Sequence, residues 1–179
     1  MILYGAERLT DRRQAYTLLA TGAREHWGLD PLPPMARTAQ GKPWFPDAPQ
    51  RMFNLSHSGT LALCALDDRP VGVDIQVVKT HRPALPSRVC SADELVWLEK
   101  QPDLWDAFAL LWTLKEARVK QSGTGLTRPL SKIRIPLPTG DEALLQQDGL
   151  WFHLYHGDGW QAAACGLTPP PELIHWLSF

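Results

Sequence analysis

A helical pattern over residues 103–121 constrains this chain more than any other stretch. Trp105, Phe108, Trp112 and Val119 fall on one stripe at steps of 3, 4 and 7, apolar enough for a core helix. The same segment reads Trp112-Thr113-Leu114-Lys115-Glu116-Ala117-Arg118-Val119-Lys120, which sets a carboxylate between lysines. Glu116 and Lys120 stand four apart, in the favourable order, on a neighbouring face. As a solvated surface pair they would contribute only about 0.3–0.5 kcal/mol. Ser122-Gly123-Thr124-Gly125 stops the helix.

A second carboxylate lies upstream in Gly72-Val73-Asp74-Ile75-Gln76. A strand has a period of two, so Gly72, Asp74 and Gln76 share one face and the β-branched residues share the other. The polar face offers two oxygen ligands, with a glycine that leaves room for a ligand; the alternative is the solvent side of an edge strand. Leu61–Leu66 reads as a buried strand, and Asp67-Asp68-Arg69-Pro70 supplies turn residues. Residues 60–66 and 71–77 therefore form a candidate hairpin.

The remaining elements follow from local signals. Residues 8–27 read as a helix, N-capped at Thr10 or Asp11, with Arg12, Arg13 and Arg24 on its surface. Residues 31–52 are Pro-rich and irregular, and Arg37–Phe45 has the form of a turn with a cation at its tip. Gly41-Lys42-Pro43 has no following Ser or Thr, so it is not a phosphate-binding Walker loop. Ser91-Ala92-Asp93-Glu94 is a capping box opening a further helix. Short strands are expected at 133–135, 151–156 and 160–166, the last two joined by a Gly157-Asp158-Gly159 turn.

At 179 residues the chain can bury a substantial core. Its net charge of −1 leaves no global basic field, so an anion site must be a local cluster and nucleic acid is not the expected partner. No apolar run is long enough to span a membrane, and no signal peptide is read at the start. Cys64, Cys90 and Cys165 are odd in number and widely spaced, which suits neither a disulfide scaffold nor a CxxC metal site and points to a reducing cytoplasm. A helix then a hairpin in the first half, and helices then strands in the second, favour an α+β architecture. The expected division is two similar α/β halves, 1–78 and 79–179, with the active site at their junction.

Chemistry enters where Asp74 and Glu116 are taken together. Mg²⁺ takes oxygen ligands and is held by one or two carboxylates plus substrate phosphates. Lys115, Lys120, Lys42 and His57 could neutralise phosphate charge, with Arg12 or Arg13 adding to them. The adjacent Ser56 and His57 invite a hydrolase reading, but neighbours on an extended chain point to opposite faces. His57 is then either a phosphate donor or a structural histidine. From the residues alone the reading is Mg²⁺-dependent transfer involving a nucleotide-like polyphosphate.

Four blocks in order extend this. Gly41-Lys42-Pro43, Phe53-Asn54-Leu55-Ser56-His57-Ser58, Gly72-Val73-Asp74-Ile75-Gln76 and Trp112-Thr113-Leu114-Lys115-Glu116-Ala117 with Lys120 resemble the 4′-phosphopantetheinyl transferases of the two-halved type. The resemblance covers about residues 10–135. It implies a pseudo-dimeric, monomeric cytoplasmic enzyme that moves phosphopantetheine from coenzyme A to a serine of an apo acyl or peptidyl carrier protein, releasing 3′,5′-ADP. Carried over by position, Asp74, Glu116 and Gln76 hold Mg²⁺. Glu116, Lys120 and Lys115 are catalytic. Lys42, Ser56, His57, Arg12, Arg13 and Thr17 bind coenzyme A. Gln76 stands where the family usually has Glu, which removes one negative charge and implies weaker metal binding. The first basic segment of the family is nearly absent. Lys79, Arg82 and Arg88, with Val77, Val78 and Leu85, form the expected carrier-docking loop. The other functions weighed are a non-catalytic coenzyme A-binding module and a Ser/His hydrolase.

Overall fold

Two four-stranded sheets, each covered by one long helix, meet along a seam in this computed structural model, which describes residues 1–178. In chain order the strands and helices are β1 (Ile2–Ala6), α1 (Ala15–Trp27), β2 (Ala36–Arg37), β3 (Pro43–Trp44), β4 (Met52–Ser58), β5 (Leu61–Asp67) and β6 (Gly72–Val77). They continue with α2 (Leu85–Val89), α3 (Ala92–Leu98), α4 (Leu104–Ser122), β7 (Leu144–Gln147), β8 (Leu150–Gly157), β9 (Trp160–Gly166) and β10 (His175–Leu177). The first sheet runs β10-β1-β5-β4 and the second β6-β9-β8-β7, while β2 and β3 pair as a separate small ribbon. Helices and sheets are thus mixed as expected of an α+β chain.

Alternation along the strands builds the layers. In β5, Ala62, Cys64 and Leu66 pack under α1 with Leu18 and Leu19. Leu61, Leu63 and Ala65 point the other way, into an apolar layer shared with Val73, Ile75, Ala162 and Ala164 of the second sheet. The far side of that sheet, including Phe152, Ala163 and Cys165, packs against Phe108, Leu111, Leu114 and Ala117 of α4. A strand buried on both faces reads as a continuous apolar run, which is the pattern of β5.

Caps fix the helix ends. Asp11 closes a capping box with Gln14 ahead of α1, and Gly28 ends that helix in the left-handed conformation. Asp103 accepts from the first-turn amides of α4, and Gly123 ends it at φ +69. Ser91 and Glu94 form the capping box of α3.

The pairing differs from the expected hairpin. β5 pairs with β1 and β4, whereas β6 pairs antiparallel with β9, Asp74 opposite Ala163. The turn at 67–71 carries the chain from one sheet to the other instead of folding it back. An expected boundary at residue 78 groups β6 with the first half, but its strand pairing lies in the second sheet. Conversely β10 runs parallel to β1 and closes the first. Residues 133–135, expected as a strand, are irregular and follow a 3-10 turn at 130–132.

Side chains stitch the seam. Asn54 Oδ1 accepts from Val73 N at 2.9 Å, Ser56 Oγ from Ile75 N at 3.3 Å and Ser58 Oγ from Val77 N at 3.0 Å. Asn54, Ser56 and Ser58 of β4 thus each satisfy one edge amide of β6, which would otherwise be buried without a partner.

Candidate active site

The polar face of β6 is covered by α4, not by solvent. Gly72 makes this possible: a Cβ there would collide with the backbone of α4 at Ala117 and Gln121. The glycine leaves room for a helix, where a ligand was expected. Asp74, only 2% exposed, then faces Lys120.

Asp74 is held by three donors. Its Oδ1 accepts from Lys120 Nζ at 2.6 Å and Ser56 Oγ at 2.7 Å, and its Oδ2 from Gln76 Nε2 at 3.0 Å. Lys120 Nζ also donates to Ser56 Oγ at 3.1 Å and to Val73 O at 3.2 Å. Glu116, one helical turn before Lys120, is half-buried. Burial first, and the Asp74 charge second, push its carboxyl above the usual carboxylate range, while Lys120 pulls it back. The two carboxylates therefore feel one another. An all-oxygen pair of this kind fits a hard divalent cation such as Mg²⁺, which completes its shell with water and phosphate. Gln76 presents its amide nitrogen to Asp74, and its oxygen accepts from Ser58 Oγ at 3.4 Å. Among the described residues there is no cluster of three or more metal-ligating His, Cys, Asp or Glu side chains.

One cavity adjoins this centre and a second adjoins the first. The first, about 250 Å³, is lined by Glu116, Lys120, Lys42, Asn54, Gly123 and Leu126. In it Lys42 Nζ donates to the Lys120 carbonyl at 2.6 Å and to Val71 O at 3.2 Å, capping the last turn of α4. Burial lowers the pKa of this ammonium. The other, about 430 Å³, shares Asn54 and Pro43 with the first and collects Arg12, Arg13, Arg37 and His57. Its cations suit an anion.

Several expected site residues lie elsewhere. Lys115 is 0% exposed and turned away from Asp74. Its ammonium contacts Glu94 at 2.8 Å and the carbonyls of Leu130 and Ile133 at 2.9 Å each, so all three hydrogens are used in the core. Ser56 is also removed from the nucleotide end: its single hydrogen goes to Asp74 and its lone pairs serve Ile75 N and Lys120. Thr17 is exposed on α1 and does not line the cationic cavity. His57 lies in that cavity while Ser56 turns to Asp74, so the two do not form a nucleophile–base pair. Sequence reasoning passed over Arg37, signalled by its place in the Arg37–Phe45 turn, and over Asn54, signalled by its alternation with Ser56. It read Glu94 only as a cap.

The sequence model of the 4′-phosphopantetheinyl transferase superfamily matches residues 70–165. A 4′-phosphopantetheinyl transferase of Bacillus subtilis is 38% identical over 85% of this chain and 71% of its own length. The 4′-phosphopantetheinyl transferase Sfp of Bacillus subtilis strain 168 is 33% identical over 78% of this chain and 66% of its own. The crystal structure of Thermotoga maritima holo-[acyl-carrier-protein] synthase is similar over 56% of this chain and 63% of its own, with a TM-score of 0.44 at 19% identity. The chain belongs to the 4′-phosphopantetheinyl transferase superfamily. Its class is therefore a transferase of the phosphopantetheinyl group.

Proposed function

We propose that this protein takes 4′-phosphopantetheine from coenzyme A and places it on a serine of an apo acyl or peptidyl carrier protein. The observation that carries the reading is the junction itself. Glu116 and Lys120 line one cavity with Asp74 paired behind Lys120, and that cavity abuts a cationic one lined by Arg12, Arg13, Arg37 and His57. A pyrophosphate fits the first and a nucleotide 3′-phosphate the second.

Asp74 and Glu116 would hold Mg²⁺, which when bound supplies a Lewis acid for the pyrophosphate oxygens. The carrier serine Oγ bonds to the phosphorus that bears pantetheine. The bridging P–O bond breaks, and 3′,5′-ADP leaves with the bridging oxygen. Glu116 takes the serine proton. Lys120 offsets the charge that develops on the departing phosphate. Lys42 holds the last turn of α4 in place beside it.

The carrier is read as docking beside α2. Arg82 and Arg88 are exposed there and line a cavity of about 300 Å³ with His81, suited to an acidic helix. Leu85, expected as an apolar carrier contact, lines the same cavity while packing on the core, and Val77 is partly buried against the apolar layer between the sheets. The same reading has the enzyme act in the cytoplasm as a monomer.

The test is intact mass of a panel of apo carriers after incubation with the protein, coenzyme A and Mg²⁺. A gain of one phosphopantetheine, abolished by EDTA and by Asp74→Ala, is the expected result. No gain on any carrier, with coenzyme A still bound, would establish a binding module instead.

A further inference from the structure

The carboxylate of Asp74 is already occupied. Its oxygens take the Lys120 ammonium, the Ser56 hydroxyl and the Gln76 amide. Lys120 in turn spends its hydrogens on Asp74, Ser56 and Val73 O. The polar face of β6 thus carries one charge, matched by an internal cation from the facing helix. A glutamate at position 76 would add a second charge and could not donate to Asp74.

A divalent ion arriving alone would have to displace Lys120 from Asp74. That leaves an ammonium, half-buried against β6, without its counter-charge, and an unpaired charge in such a place is costly. An ion arriving with a pyrophosphate brings the anion that Lys120 needs. We propose that Gln76 and Lys120 make divalent-cation binding conditional on the polyphosphate, so that metal and coenzyme A bind together and metal alone binds weakly. Both act as positioning residues in this scheme. Gln76 orients Asp74 and withholds a charge; Lys120 is the resident counter-ion that the phosphates draw off. The inference rests on the coenzyme A reading above.

The test uses Mn²⁺, which takes the same oxygen ligands. Protein-bound Mn²⁺ is followed by water-proton relaxation enhancement, with protein-free coenzyme A and Mn²⁺ as the blank. For the wild type, coenzyme A should tighten Mn²⁺ binding by at least about tenfold. Gln76→Glu should tighten binding of Mn²⁺ alone by about tenfold, the scale on which ligand charge and its supporting bonds tune a site. Lys120→Met should also tighten it, an outcome that loss of a merely structural lysine does not produce. Circular dichroism checks each fold, and Gln76→Glu decides if Lys120→Met does not fold. Equal Mn²⁺ affinity with and without coenzyme A overturns the proposal, as does an unchanged affinity in Gln76→Glu. Coenzyme A that binds but leaves Mn²⁺ affinity unchanged refutes the coupling alone. Coenzyme A that fails to bind with or without Mn²⁺ refutes the coenzyme A reading as well.

Discussion

Replacing Gly72 by alanine adds one methyl group at the glycine where a Cβ has the least room. The new Cβ would lie 2.0 Å from the Ala117 carbonyl oxygen and 2.4 Å from the Gln121 nitrogen. Both atoms are main chain, so no rotamer change relieves the clash. Normal contact requires α4 to retreat from β6 by at least about 1 Å, and a dense core resists such a move. Overpacking of this kind costs up to about 3 kcal/mol, or a fall in melting temperature of about 6–12 °C for a chain of this size. Glu116 and Lys120 ride on α4 while Asp74 rides on β6. A displacement of that size should lower the transfer rate about a hundredfold. Gly140→Ala is the control, since its Cβ meets nothing within 4 Å, and it should be neutral or slightly stabilising. Scanning calorimetry and carrier mass read the two effects. A Gly72→Ala protein that melts within about 2 °C of wild type and keeps its rate within about threefold would refute the reasoning.

Other substitutions separate the core from the site. Lys115→Met should cost about 3–5 kcal/mol in urea unfolding, because it strands Glu94 in the core, and Lys115→Met with Glu94→Leu should recover only part of it, since the Leu130 and Ile133 carbonyls and the Ser91 amide stay without their partners. Glu116→Gln in EDTA should raise stability at neutral pH. The folded carboxyl has a raised pKa, so ionising it disfavours the native state as pH rises; the gain is full above the folded pKa and gone below the ordinary carboxylate range. Urea midpoints at pH 7 and pH 4 check this, and an equal gain at both would contradict it. Cys64, Cys90 and Cys165 are buried with thiol pKa values pushed up, to about 12 for Cys90 and Cys165. A thiol reagent at pH 8 should therefore label none of them until the protein unfolds. Arg82→Glu with Arg88→Glu should weaken carrier affinity while leaving coenzyme A binding unchanged, measured by calorimetry; an unchanged carrier affinity counts against the docking face.

What the sequence made legible follows interaction range. Helix caps and the split of β6 into a polar and an apolar face depend on residues two to four apart, and they read correctly from Asp11, Ser91 and the 72–76 alternation. The partner of β6 was not legible, because Asp74 pairs with Ala163 across 89 positions and nothing local encodes that. Lys115 is a different case. At 3.6 residues per turn, Lys115 and Lys120 point about 140° apart, whereas Glu116 and Lys120 are about 40° apart. Helical geometry alone set Lys115 on the face opposite the site, and motif matching outweighed it. Ser56 likewise carries the composition of a phosphate ligand, but its register in β4 makes it a link between strands.

The pairing of β1 with β10 also bears on synthesis. Tyr4 waits for His175, so the edge of β1 stays open until some 170 further residues have been made. At ribosomal speeds that interval is on the order of ten to thirty seconds. Throughout it a nascent chain displays an apolar strand edge able to pair with a neighbour's. Yield of folded protein should therefore depend on translation rate and on chaperones that cover such edges, even though the finished protein leaves that edge paired.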